Sequence, residues 1–185
     1  MKVSTVRTVI KGNFMKYFVF ILLLTIFGCN PFDKRTPEEK RLAEHMEKLD
    51  DDTLLGPDKN GDGVRDDIEY WINNSSEVKN NNVRRAALFY AKTLRDGLKY
   101  VNDKEKSIQN SYLKMKARDC LRNVINDWPR IVSKVSDPIL KNMFNTEQRL
   151  KTQLQVDQHF AGQGGAIYRF AKEACSFELE PGNYK

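Results

Sequence analysis

The chain has 185 residues, 30% charged and 40% apolar, with a formal net charge of +6, a composition that suits a folded globular protein. The basic excess lies mainly in residues 1–28, which hold Lys2, Arg7, Lys11 and Lys16 and no acid. Of the 31 basic residues, 27 remain beyond them against all 25 acids, a net of +2, so charge gives no case for a nucleic-acid partner and none is expected.

The first predicted element is a leader. Lys16 precedes the apolar run from Tyr17 to Phe27, which is too short to span a bilayer and reads as the core of a secretory signal over residues 1–28. Met15-Lys16-Tyr17 offers an alternative start. The end of the run, Ile26-Phe27-Gly28-Cys29, resembles a bacterial lipobox, with an aliphatic residue at −3, a small one at −1 and cysteine at +1. Phe27 at −2 is bulkier than that pattern usually takes. The resemblance implies cleavage before Cys29, acylation of Cys29 and attachment to a membrane through that lipid. Residues 29–36 then form a tether and 37–185 a single domain in the bacterial envelope. Asn30 at +2 is not the aspartate that retains such proteins at an inner membrane. This favours the outer membrane in a Gram-negative cell.

Within the domain, Thr36-Pro37-Glu38-Glu39 predicts a helix start, with Thr36 as N-cap, Pro37 at the first helical position and Glu39 completing a capping box. Leu42, Met46 and Leu49 give its apolar stripe. The loop that follows carries the strongest chemical signal in the chain. From Asp58 to Glu69, oxygen-bearing side chains fall at positions 1, 3, 5, 9 and 12, and Gly63 stands at position 6. That is the ligand spacing of an EF-hand-type calcium loop. Calcium is a hard cation that takes six to eight oxygens in flexible geometry. Asp58, Asn60, Asp62, Asp66 and Glu69 supply side-chain ligands, and Val64 its backbone carbonyl. Position 8 is Arg65 in place of an aliphatic residue, and no second loop is found. The site therefore resembles the unpaired loops of thrombospondin type 3 repeats and dockerins, which implies structural calcium of modest affinity.

Helical periodicity continues to the end of the chain. Ile68, Trp71 and Ile72 mark the inner face of an exit helix ending near Asn73-Asn74-Ser75. A helix over about 82–101 buries Val83, Ala86, Ala87, Tyr90, Ala91, Leu94, Leu98 and Val101. Another over about 104–127 turns Ile108, Tyr112, Met115, Cys120, Leu121, Val124 and Trp128 inward, until Pro129 breaks it. Asp137-Pro138 caps a short helix with Ile139, Leu140, Met143 and Phe144 inside. Thr146 opens a helix that buries Leu150, Leu154 and Phe160. A last helix over about 166–175 buries Ile167, Phe170 and Ala171. With no alternating strand pattern, the expected fold is all-α: an irregular helical bundle with one calcium loop near its N-terminal end.

Three cysteines are present. With Cys29 assigned to lipid, Cys120 and Cys175 make an even pair, expected as a disulfide in an oxidising compartment. Other apparent motifs have plainer readings. Ser111-x-x-Lys114 matches a penicillin-binding spacing but sits within an amphipathic helix without its companion motifs. Gly162-Gln163-Gly164-Gly165 follows a helix and lacks a Lys-Ser/Thr, so it reads as a turn. His45 and His159 have no zinc spacing. From Asp33 to Glu77 there are 14 acids against 7 basic residues, and beyond them 11 against 20. A basic C-terminal part could face anionic lipid, cell-wall polymer or an acidic protein, but it also suits a solvated helix surface.

The lipobox cysteine, the Asp-Gly-Val-Arg-Asp-Asp core of the loop, the helical remainder and the Asn145-to-Leu150 segment before the Gly162 turn are together similar to small bacterial envelope lipoproteins. That resemblance implies a calcium-binding exported lipoprotein and no activity. The expected role is a non-enzymatic envelope module engaging an envelope protein or polymer. An inhibitor or immunity-type protein with one partner, and an envelope or cell-wall hydrolase, are the alternatives. A stoichiometric toxin or a cleft with paired carboxylates would favour them respectively.

Overall fold

The computed structural model describes residues 34–125, 127–165 and 167–181, with the side chains of Trp128 and Ile131 excepted. The leader, Cys29, most of the tether, the Trp128 side chain and Ala166 lie outside the described residues. From Pro37 onward the chain forms one unit built of helices, with no strand among the described residues. The all-α expectation is met.

Helix α1 (Pro37–Leu49) begins at the proline, where a missing N–H costs nothing, and carries Glu38 and Glu39 in its first turn. Met46 is buried and Leu42 packs against the core. After the loop, α2 (Asp66–Asn74) buries Ile68, Trp71 and Ile72, as its spacing predicts. Helices α1 and α2 pack on one another, and His45 stacks on Tyr70 with ring centroids 3.9 Å apart. A short 3₁₀ turn (Ser76–Val78) leads to α3 (Asn81–Lys99). The side chain of Asn80 accepts from the backbone N–H groups of Asn82 and Val83 and caps α3. Six apolar residues of α3, from Ala86 to Leu98, are all but fully buried, so it is the central helix of the bundle.

Residues 100–103 turn the chain into α4 (Lys104–Ile125), which packs along α3 more extensively than any other pair of helices. The lower half of α4 buries Ala117, Cys120, Leu121 and Val124. Its upper half departs from expectation. Ser107, Asn110 and Ser111 face inward, Ile108 and Met115 are only half-buried, and Tyr112 is exposed. Small side chains let the two helices approach there, and Asn110 and Ser111 satisfy their polar groups on nearby carbonyls, whereas the buried Ser107 hydroxyl has no hydrogen-bond partner among the described residues. Ser111 donates to the carbonyl of Ser107, and Asn110 to the carbonyl of Thr93 on α3 at 2.8 Å.

The break near Pro129 is present. Helix α4 ends at Ile125, and a short α5 (Trp128–Ile131) passes through a π-helical turn (Val132–Ser136) into α6 (Asp137–Met143). Asp137-Pro138 does not cap α6, because the backbone at Ser136 is already helical. Ile139 and Met143 are fully buried. Thr146 caps α7 (Glu147–Phe160), accepting from the N–H of Arg149 at 3.2 Å. The buried face of α7 is Arg149, Thr152, Gln153 and Val156, whereas Leu150 and Leu154 are 51% and 55% exposed. The rotation follows from Arg149, whose buried ion pair fixes which side of the helix points inward.

The last helix is also shorter than expected. Only Ala171–Ala174 (α8) is helical, with both alanines buried and Ile167 and Phe170 exposed. A disulfide between Cys120 and Cys175, with Cα atoms 4.8 Å apart, joins α4 to the end of α8. Beyond it the chain runs back to α3. Asn82 exchanges two hydrogen bonds with the backbone of Glu180, and Arg85 lies over the Phe177 ring.

Candidate calcium loop

The loop between α1 and α2 is held by an internal network of its own oxygens. Gly63, with φ of +89°, gives the sharp turn that its position requires. Its N–H donates to Asp58 Oδ2 at 3.1 Å. Asp62 Oδ1 accepts from the N–H of Val64, Asn60 Oδ1 from that of Asp62, and Asp66 Oδ1 from that of Lys59. Asp66 also donates its N–H to the Pro57 carbonyl, so the first residue of α2 closes the loop from both backbone and side chain. The Val64 side chain packs in the core, which leaves its carbonyl as its contribution to the loop.

Three features describe the chemistry of this cluster. Asn60 Nδ2 donates to Asp62 Oδ2 at 3.2 Å and to Glu69 Oε2 at 3.0 Å, so a partly positive amide stands between two carboxylates. Burial, reinforced by the charges of Asp62, Asp66 and Asp58, pushes the Glu69 carboxyl above its usual range. Asp58 Oδ1 is buried and has no hydrogen-bond partner, although the other oxygen of that carboxylate is fully engaged. A buried carboxylate oxygen without a partner is costly. The structure thus brings Asp58, Asn60, Asp62, Asp66 and Glu69 into one hydrogen-bonded neighbourhood. Among the described residues, no group of three or more His, Cys, Asp and Glu side chains is gathered closely enough to hold a metal as it stands.

Sequence reasoning missed the cations around this loop. Arg95 of α3 pairs with Asp58 at 3.1 Å and donates through Nε to the Leu55 carbonyl at 3.0 Å. Lys92, one turn earlier, donates to the Asp62 carbonyl. Their helical spacing reads as surface, and nothing local to α3 signals the loop.

Arg65, noted only as a departure at position 8, is fully buried. Its guanidinium grips Asp67 with Nε–Oδ1 at 2.5 Å and Nη2–Oδ2 at 2.7 Å, and donates to the Asn142 carbonyl at the end of α6. Beside it Arg149, also fully buried, takes both oxygens of Asp50 at 2.7 and 2.8 Å and donates to the Thr53 carbonyl. Burial pushes the Asp50 carboxyl up. Hydrogen bonds from Arg149 and Asn145, with the charges of Arg65 and Arg149, outweigh burial and hold it well below the usual carboxylate range. Two arginines thus tie the loop and its approach to α6 and α7.

The motifs set aside from sequence stay separate in space. Ser111 is buried on Ser107, and Lys114 pairs with Asp157 at 3.2 Å. Comparison of the chain with protein-family models, with characterised proteins and with solved structures finds no match.

Proposed function

We propose that residues 58–69 bind one calcium ion, which fixes the joint between α1 and the bundle of an exported, lipid-anchored, non-enzymatic envelope protein. The observation that carries this reading is the buried, unpartnered Oδ1 of Asp58 at the first ligand position of a loop with calcium spacing. Asp58, Asn60, Asp62, Asp66 and Glu69 would hold the ion with the Val64 carbonyl. Every donor is oxygen, which suits a hard cation. The ion would supply the positive charge that the crowded carboxylates lack. The anchor rests on Cys29 and its lipobox, and the envelope address follows from it. The hydrolase alternative gains nothing from the cleft between α3, α4, α6 and α7, whose one carboxylate is Asp157.

The test is a calorimetric calcium titration of residues 30–185 beside Asp58→Ala, with melting in calcium and in chelator. The expected result is one-site binding with a Kd of roughly 10⁻⁴ to 10⁻³ M, lost in the variant. At about 10 mM calcium, such affinity would stabilise the wild type by about 1.4–2.7 kcal/mol. Absence of heat at millimolar calcium, with identical melting in chelator, would reduce the loop to a helix-capping turn.

A further inference from the structure

Away from the loop, α3, α4, α6 and α7 surround a cleft of about 440 Å³, a size in the range of small-molecule sites. Its walls are apolar: Leu94 of α3, Met115 of α4, and Leu140 and Phe144 at the end of α6. Met115 is an adaptable wall. It is backed by the 161–165 turn, where a side chain at Gly165 would sit 2.5 Å from the methionine methyl. The polar groups gather on one side. Asp157 is already engaged, accepting from Lys114 at 3.2 Å and from Gln153 at 2.7 Å. Among the described residues, Arg118 makes a long contact with Asp119, at 3.8 Å. Asp119 Oδ2 accepts from the N–H of Tyr168, while its buried Oδ1 has no hydrogen bond among the described residues and lies 3.4 Å from Arg122. With Lys114 and Arg118 against Asp157, the charge that lines the cleft is net positive and sits beside an apolar trough.

We propose that this cleft binds a single-chain anionic amphiphile, a fatty-acid carboxylate. The carboxylate meets the Arg118 guanidinium, whose planar fork suits two oxygens, while the Lys114 charge is balanced by Asp157. The chain lies along Leu94, Met115, Leu140 and Phe144, where it covers apolar surface that water would otherwise meet. A neutral chain of the same length would gain only the second contribution, and a cationic one would be repelled by Arg118. The assignment does not depend on calcium.

Calorimetric titration of the purified chain with decanoate, decanol and decyltrimethylammonium, each below its micellar concentration, tests it. Decanoate is expected to bind at one site, at least tenfold more tightly than decanol, and the cation not at all. Arg118→Gln alters an exposed position and should weaken decanoate about tenfold while leaving decanol unchanged. Met115→Trp, checked for an unchanged melting temperature, should fill the trough and abolish both. Three results would each overturn the proposal: no saturable binding of decanoate, equal affinity for decanoate and decanol, or an Arg118→Gln protein that binds decanoate as the wild type does.

Discussion

The joint around residues 50–69 and the seam between α3, α4 and α7 both bury polar side chains, by opposite means. At the joint, full charges go inside because each meets a partner of matching shape: Arg65 with Asp67, Arg149 with Asp50. At the seam, Asn110, Ser111 and Thr93 go inside because they are small and bond to nearby backbone carbonyls. The contrast teaches that burial tracks satisfaction of polar groups, not polarity itself. It also predicts different fragilities. A joint of paired charges fails when one partner is lost, whereas a seam of self-satisfied residues tolerates change.

The largest effect is expected at the joint. Arg149→Met leaves Asp50 without its hydrogen-bonded cation, with Arg65 only at 3.8 Å, and should destabilise the fold by about 3 kcal/mol. Asp50→Asn should also be costly, and the double variant should cost clearly less than the sum in denaturant melts. Additive costs would break the idea that the pair acts as a unit. The same pair sets an acid limit. The folded Asp50 carboxyl lies below its ordinary 3.8, so its stabilisation is complete above that pH. It is lost as pH falls through the lower, folded value. Wild-type melting temperature should therefore drop below about pH 4, and Asp50→Asn should flatten that drop.

Next in size is the disulfide. Its loop spans 55 residues, for which the chain-entropy model gives about 4 kcal/mol. Cys120→Ser with Cys175→Ser should lower stability by roughly that amount and release the 176–181 tail from α3. Hydrogen exchange at Glu180, whose N–H is held by Asn82, reports the release. Unchanged protection there would show that the tail holds without the crosslink.

These differences explain which parts the sequence revealed. Core helices with regular apolar spacing, such as the Val83-to-Leu98 face of α3, were legible because area burial alone decides them. The turn at Gly63 was legible because a glycine among aspartates and asparagines is a property of the chain itself. The register of α7 was not, since Leu150 and Leu154 point outward only because Arg149 finds Asp50, 99 residues away. The inner face of upper α4 was illegible for a related reason. Serine and asparagine read as surface until their carbonyl partners are known. Arg95 and Lys92 belong to the same class, as charges whose partners lie on another element.

Arg95 gives a middle-sized test that bears on the proposed ion. Its guanidinium lies 3.1 Å from Asp58, so it competes with any cation bound there. Arg95→Gln should tighten calcium about three- to tenfold by calorimetry. Weaker binding would show instead that its hold on the Leu55 carbonyl preorganises the loop and matters more than its charge.

The sharpest comparison uses two glycines and one methyl group. Gly56, at the joint, has φ of +67°, and a Cβ there would lie 2.0 Å from the Cδ of the buried Arg65. Gly56→Ala combines a backbone penalty with displacement of a buried arginine that makes four hydrogen bonds, and should cost about 2–3 kcal/mol or more. Gly97 lies in the seam, in the last turn of α3. A Cβ there would meet Asn110 Nδ2 at 3.5 Å and Val156 Cγ1 at 3.8 Å, ordinary contact distances. Gly97→Ala removes the helix penalty of glycine without a clash and should stabilise the protein by about 0.5–1 kcal/mol. If both variants destabilise alike, the seam is packed as tightly as the joint, and the distinction between paired charges and self-satisfied small residues does not set the tolerance of this fold.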